Sequence, residues 1–363
     1  MKKRDFINGI GLVFDMDYYR GTNPELSAMP KNVLFRHAAL YAEKQGRPIS
    51  PLDMASKFIE FTNVAIKEAK LDALEIGPYD NPCLRGKSVK YFDVLNADDL
   101  RNRAIKQNRP YNRIPSKIDF VDSNGDLSAI NSESFDIVFS SHCIEHQPDF
   151  VRHLKQISRL LRNDGLYVLK IPDKRYIFDY FLSESNIAEI LDAYHENRKI
   201  HSFQSVLEHR MFVTHNEPYK HWLNEHGEMP VSKLRFENAL NEFEESKGGY
   251  IDVHAWQFTP RCFYTLIWQL NLLGVSDFIP YRVSHTLWGS NEFTAVLKKK
   301  GADLCEVVIR DDIDGSLDDV FSINMNGINY IYMDGITVCR VFSMILRKLL
   351  QYGQMVLMFV VSR

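Results

Sequence analysis

From residue 71 onward the chain alternates short apolar runs, each bounded by turn residues, with segments of helical spacing, which is the signature of parallel α/β units. The runs fall at 73–76, 89–92, 118–121, 135–140 and 166–171, and Pro172 stops the last of them because it has no N–H to give a ladder. A helix is expected over 150–161, followed by a turn at Asn163-Asp164-Gly165. The next segment, 173–255, is rich in His, Tyr and Glu, has helical spacing and contains no strand-like run, so it reads as a mostly helical insertion. The pattern then resumes with a helix over 260–273 and strands at 277–283 and 292–297. Upstream, two helical stretches at 32–44 and 51–69, separated by Gly46, Pro48 and Pro51, form a lead-in.

Composition narrows the function. The 363 residues suffice for a sizeable core, and 45% hydrophobic with 25% charged residues is an ordinary globular balance rather than a disordered one. Lys and Arg number 44 against 47 Asp and Glu, a net charge of -3, so no basic surface for nucleic acid is expected. Five cysteines, at 83, 143, 262, 305 and 339, are scattered and form no C-x-x-C pair. They suggest neither a disulfide framework nor a thiolate zinc site, and a reducing, cytoplasmic setting fits. The N-terminal MKKRDFINGIGLVF has a basic head, but Asn8 interrupts its apolar stretch and Asp15 and Asp17 close it, so export is not expected.

In an open α/β sheet ligands bind beyond the carboxyl ends of the strands. The first strand ends in LEIGPYDNP, with Glu75 at its terminus and Gly77 allowing close backbone approach; the second ends in Asp93, placed to accept hydrogen bonds from ribose hydroxyls. The loop Gly77-Pro78-Tyr79-Asp80-Asn81-Pro82 is not a G-x-G-x-x-G fingerprint, and the short connection leaves room for a turn or two of helix only. A ligand with a ribose and no phosphates fits better than a dinucleotide.

Taken together, LEIGPYDNP, YFDVLN, the GDL of Gly125 to Leu127, FDIVFSSHCIEHQPD, LLRNDG and IPDKRYIFD resemble class I S-adenosylmethionine-dependent methyltransferases of the methyltransferase-11-like type, over residues 71–298. The later segments VLEHRMFVTHNEPYKHW, YIDVHAWQFTP and GSNEFTAVL are similar to bacterial relatives associated with surface glycans. The resemblance implies a Rossmann-like seven-stranded sheet with its last strand antiparallel, in a core at 71–300 interrupted by a lid at about 173–255 and flanked by the helical lead-in 1–70 and a tail 301–363. It implies S-adenosylmethionine as cofactor, with Glu75, Gly77 and Pro78 at its methionine part, Asp93 at the ribose, Asp126 and Leu127 flanking the adenine, and Ser141 and His142 on the same cofactor side. Tyr79 and Asn81 stand where the family pattern has glycines. The implied activity is methyl transfer to a small-molecule or glycan-linked acceptor; the alternative is a degenerate methyltransferase fold serving as a binding or scaffolding module.

His142-Cys143-Ile144-Glu145-His146 matches H-x-x-E-H, yet it directly follows a strand and precedes Gln147-Pro148, which limits the local helix to one turn. No metal is therefore expected; His146 instead faces the substrate or is a structural histidine. A base is needed only for a weakly acidic acceptor, and the candidates are His146, Asp173 and His254. In the insertion, His209, His215, His221 and His226 are too irregularly spaced for a ligand set. Tyr176, Phe178, Tyr180, Phe181, Tyr219 and Trp222 either pack over a sugar ring or form the lid's own core. In the tail, Asp311, Asp312, Asp314, Asp318 and Asp319 surround Gly315 without a calcium-loop pattern. The apolar stretch 338–361 carries Arg340, Arg347 and Lys348, so packing on the domain or on another subunit is expected over contact with a membrane surface.

Overall fold

The seven apolar runs become one sheet. In the computed structural model, which describes residues 1–11, 13–299 and the short strands 322–325 and 328–331, they are β1 (Ala73–Ile76), β2 (Val89–Asp93), β3 (Phe120–Val121), β4 (Phe135–Ser141), β5 (Leu161–Pro172), β6 (Phe278–Val283) and β7 (Glu292–Lys299). Their order is β3-β2-β1-β4-β5-β7-β6. The first five strands pair in parallel, and β7 runs antiparallel to both β5 and β6. All four residues of β1 are buried, as a central strand covered on both faces requires. The order reverses between β1 and β4, so the crevice beyond their carboxyl ends is the expected ligand position. The seven-stranded, Rossmann-like sheet with a reversed last strand is as expected.

The helices that cover the sheet follow from their caps and stripes. Asp149 accepts the N–H of Arg152 and opens the helix Phe150–Leu160, which buries Phe150, Leu154 and Ile157 against the sheet. Thr259 caps the helix Pro260–Leu272 in the same way, with Pro260 at its first position.

Three local expectations change. No helix forms between β1 and β2: residues 77–88 are irregular, Pro78 and Pro82 lack N–H groups, and the backbone N–H groups of Cys83, Leu84 and Arg85 go to side chains of Glu75 and Asn63. The Asn163-Asp164-Gly165 turn lies inside β5 as a bulge, where the pairing jumps from Phe135 opposite Leu161 to Ile137 opposite Leu166. Asp164 takes a φ of 59°, and a Cβ on Gly165 would meet the Arg162 carbonyl at 2.8 Å. β3 shrinks to two residues because the Asp119 carboxylate, rather than a ladder carbonyl, accepts the Tyr91 N–H, while Ile118 packs under the helix Ala97–Lys106.

The insertion is helical, with Ile187–His195, Phe203–Phe212, Pro218–Trp222 and Lys233–Glu245 and no strand. Its aromatic residues mostly satisfy one another: Tyr176 stacks on Trp222 at 3.9 Å and Tyr180 on His226 at 3.6 Å. Phe178 instead lies against His209 and His254, and Tyr219 is exposed and meets Trp288 edge to face.

The chain separates into two compact units, Met1–Ile10 with Leu52–Lys300, and Gly11–Pro51 with Gly301–Arg363. The lead-in thus divides between them. In the second unit a continuous helical run, Lys31–His37 through Ala38–Ala42 and Glu43–Gln45, ends at Gly46 in the left-handed conformation. Its core gathers Tyr19, Leu26, Leu34 and Ile49. The strands Ser322–Met325 and Ile328–Ile331 pair antiparallel. The acidic patch at 311–319 and the apolar stretch 338–361 lie outside the described residues. Among the described residues no helix is long and apolar enough to cross a membrane.

Candidate active site

At the end of β1 the chain turns on Gly77, whose φ is 66° and whose missing Cβ would meet nothing within 4 Å. This is an open cradle at the switch point. Glu75 does not face it freely: its two carboxylate oxygens accept the N–H groups of Cys83 and Leu84, both at 2.8 Å, and staple the 77–88 loop to the strand. Burial pushes the Glu75 carboxyl up to about 7, against the downward pull of those two N–H groups. Pro78 is buried behind the turn. Tyr79, at a family glycine position, adopts a φ of 38° and packs its ring under Arg103 and Arg109, with its hydroxyl donating to Gln107 at 2.6 Å. Asp80 accepts both the Nε and an Nη of Arg109.

Asp93 ends the neighbouring strand, 7% exposed, and its Oδ1 accepts the Leu95 N–H at 3.2 Å. Burial raises its carboxyl above the ordinary range, opposed by local backbone N–H groups. Asp126 is exposed and is used by the Ser128 N–H and Gln156. The Leu127 side chain is fully buried in the core, so it cannot flank an adenine ring, and its carbonyl accepts from Arg159. A cradle at Gly77 beside a buried strand-end carboxylate, with no helix N-terminus between them, fits a nucleoside without phosphates.

The other half of the crevice lies beyond β4, β5 and β7. Because β7 is reversed, its first residue, Glu292, sits at the carboxyl edge of the parallel strands. There it takes Lys170 at 2.8 Å and His142 Nε2 at 2.8 Å. Burial lowers the His142 imidazole's proton affinity, and the carboxylates of Glu292 and Glu145 more than offset it, leaving the pKa above the usual value. Ser141, half-buried, ends β4 just before it.

Of the three base candidates, two come together and one is removed. His146 and His254 meet edge to face with centroids 4.6 Å apart. His146 Nδ1 lies 3.0 Å from Asp252 Oδ1, and His254 Nδ1 lies 2.5 Å from Asp179 Oδ2. Burial draws the His146 pKa down, but Asp252 and Glu145 raise it past its ordinary value. The His146 imidazole beside it holds the Asp252 carboxyl well below the ordinary carboxylate range, against the upward push of burial. Asp173, by contrast, is fully buried with its oxygens taken by Arg175, the Arg175 N–H and Thr286, so it organises the turn after β5 and is not available as a base.

Glu145, Asp179 and Asp252 were not foreseen as site residues. Glu145 is 0% exposed, and neither carboxylate oxygen has a hydrogen-bond partner. His209 and His201 also border the cluster, each pushed down to about 4 by burial and hence neutral. The H-x-x-E-H segment forms a single turn, Ile144–His146, as expected, with His142 engaged by Glu292 and not paired with His146 on one helix face.

The seven strands thus form one mixed sheet with an open turn at Gly77 and a buried carboxylate at Asp93 beyond the ends of β1 and β2. Residues 83–169, from just before β2 to within β5, match the family model described as a methyltransferase domain. Among solved structures, similar chains include an S-adenosylmethionine-dependent methyltransferase from Mesorhizobium loti, at 18% identity over 30% of this chain and 50% of that one, with a TM-score of 0.22. An arsenic(III) S-adenosylmethionine methyltransferase from Chlamydomonas reinhardtii has 21% identity over 28% and 39% of the two chains, with a TM-score of 0.22. The 1,6-didemethyltoxoflavin-N1-methyltransferase of Burkholderia thailandensis has 13% identity over 73% and 87%, with a TM-score of 0.32. The chain thus spans only half or less of the length of the first two. A search of curated proteins gave no match.

Proposed function

We propose that this protein transfers a methyl group from S-adenosylmethionine to an oxygen or nitrogen of a small-molecule acceptor, free or glycan-linked. The observation that carries the reading is the methyltransferase-domain match over the segment that holds Asp93 and the His142–His146 loop. When bound, the cofactor supplies an electrophilic methyl on sulfur, and in-line transfer depends on alignment and exclusion of water more than on a base. Gly77 leaves room for the nucleoside, and Asp93 accepts from its ribose hydroxyls. His142, tied to Glu292, separates that side of the crevice from the acceptor side, where His146 and His254 present polar ring edges beneath the lid. The net charge of -3 favours a small acceptor over nucleic acid. Free thiols at Cys83, Cys143 and Cys262 support a cytoplasmic setting.

Calorimetry with S-adenosylhomocysteine tests this. Wild type should bind it, and Asp93→Ala should weaken binding by about 1.5–3 kcal/mol for each lost charge-assisted hydrogen bond, or roughly 10- to 150-fold. No binding to the wild type at millimolar ligand refutes the reading.

A further inference from the structure

The buried carboxylate of Glu145 poses a problem that hydrogen bonding does not solve. A fully buried, unpartnered carboxylate is costly, and native proteins pair such groups with a cation or neutralise them. The groups closest in the cluster are imidazole nitrogens: His146 Nε2 at 3.7 Å and His254 Nε2 at 4.0 Å from Oε1, with His142 Nδ1 at 3.9 Å from the same oxygen. These gaps are too long for hydrogen bonds. They are close to the separation of donors that share one metal ion, since tetrahedral ligands at about 2.0–2.1 Å stand roughly 3.3–3.4 Å apart. One ligand atom each from Glu145, His146 and His254 lie within 4.8 Å of one another, so a contraction of a few tenths of an ångström to about 1.4 Å closes the set.

The outer contacts agree with this. Each imidazole that turns Nε2 toward Glu145 places Nδ1 on a carboxylate, Asp252 for His146 and Asp179 for His254. For His254, whose Nδ1 is hydrogen-bonded to Asp179, this carboxylate–imidazole pair fixes the tautomer with Nε2 unprotonated and raises its basicity as a ligand, and the Asp252 carboxylate 3.0 Å from His146 Nδ1 favours the same tautomer there. His146 is 26% exposed in its side chain, which gives an ion a way in.

We propose that Glu145, His146 and His254 form a binding site for a zinc-class divalent metal ion, with Asp179 and Asp252 as its outer carboxylates. Three protein ligands, one carboxylate and two imidazoles, leave a fourth position for water or for a heteroatom of the acceptor. The site rests on these side chains alone and goes beyond the methyltransferase reading.

The test uses the full chain, stripped with a chelator and titrated with cobalt(II) as a spectroscopic probe. One equivalent should bind with the intense visible bands of four- or five-coordinate cobalt, and one equivalent of zinc should remove them. Glu145→Gln and His254→Gln should abolish the bands, and Asp179→Asn should weaken cobalt binding about 10- to 100-fold. Circular dichroism checks that each variant is folded; should the buried substitutions fail to fold, Asp252→Asn, at a 60% exposed side chain, should show the same 10- to 100-fold loss. Wild type without such bands, or folded variants that keep wild-type affinity, would overturn the proposal. S-adenosylhomocysteine calorimetry on the same samples keeps the two readings apart: cobalt bands without nucleoside binding uphold the metal site and refute the methyltransferase, and the converse result does the opposite.

Discussion

Glu75 gives the sharpest test of how the loop after β1 is held. It is 1% exposed and is the acceptor for two loop N–H groups, and burial lifts its carboxyl from 4.5 to about 7. In the unfolded chain the group ionises near 4.5, so between pH 4.5 and 7 the folded protein keeps a proton that the unfolded chain has released. The sign follows: this contribution is fully present below about pH 4.5 and is lost as pH rises through 7. At roughly 1.4 kcal/mol for each tenfold change in proton affinity, it amounts to about 3 kcal/mol. Glu75→Gln keeps the shape of the protonated side chain and removes the titration. Urea unfolding of wild type and variant from pH 4.5 to 8 isolates the effect, because every other group titrates in both and cancels in the difference. Wild type should lose about 3 kcal/mol relative to the variant across that range. A difference that stays flat with pH, or that grows in the opposite direction, would refute the burial argument.

Further expectations concern the core beneath the site. Arg282 is completely buried and donates from an Nη to Asp53 at 2.5 Å; Asp53→Ala should lower unfolding free energy by about 3–5 kcal/mol in denaturant titration, the usual cost of breaking a buried ion pair. Tyr167 bridges Ser140 and His153 at 2.8 and 2.9 Å under β4, so Tyr167→Phe should cost about 1–3 kcal/mol by thermal or urea unfolding. His153 is pushed down from 6.5 to about 3 by burial, so its contribution is present above pH 6.5 and lost as pH falls toward 3; His153→Phe should shift the acid-unfolding midpoint to lower pH.

The central strands were legible because β1 and nearly all of β4 are buried on both faces and read as mostly apolar runs, and β1 falls where the sequence places it. The helix Ala97–Lys106 was not, since ADDLRNRAIK buries only Leu100 and Ala104 and leaves too narrow an apolar stripe to register. Topology alone pointed to Gly77 and Asp93, which need only a strand to end beneath them. Leu127 and Asp173 show the limit of that reasoning: a position can lie at the correct strand end while its side chain is already consumed by the core or by Arg175 and Thr286. Nor could spacing reveal the cluster at Glu145, since Asp179, Asp252 and His254 approach it only through tertiary contact, from far along the chain.

That arrangement ties chemistry to the order in which the chain becomes structured. Glu145 and His146 belong to the segment joining two central strands, whereas Asp179, His209, Asp252 and His254 are delivered by the insertion, which closes on the site through the N–H groups of Ala255 and Trp256 donating to the Glu145 carbonyl. Opening of the insertion alone would dismantle the histidine–carboxylate cluster while the strand ladder stayed paired. Amide exchange at Ala255 and Trp256 is therefore a local reporter of whether the histidine–carboxylate cluster is assembled, separable from exchange in β1 and β4, which reports only on survival of the sheet.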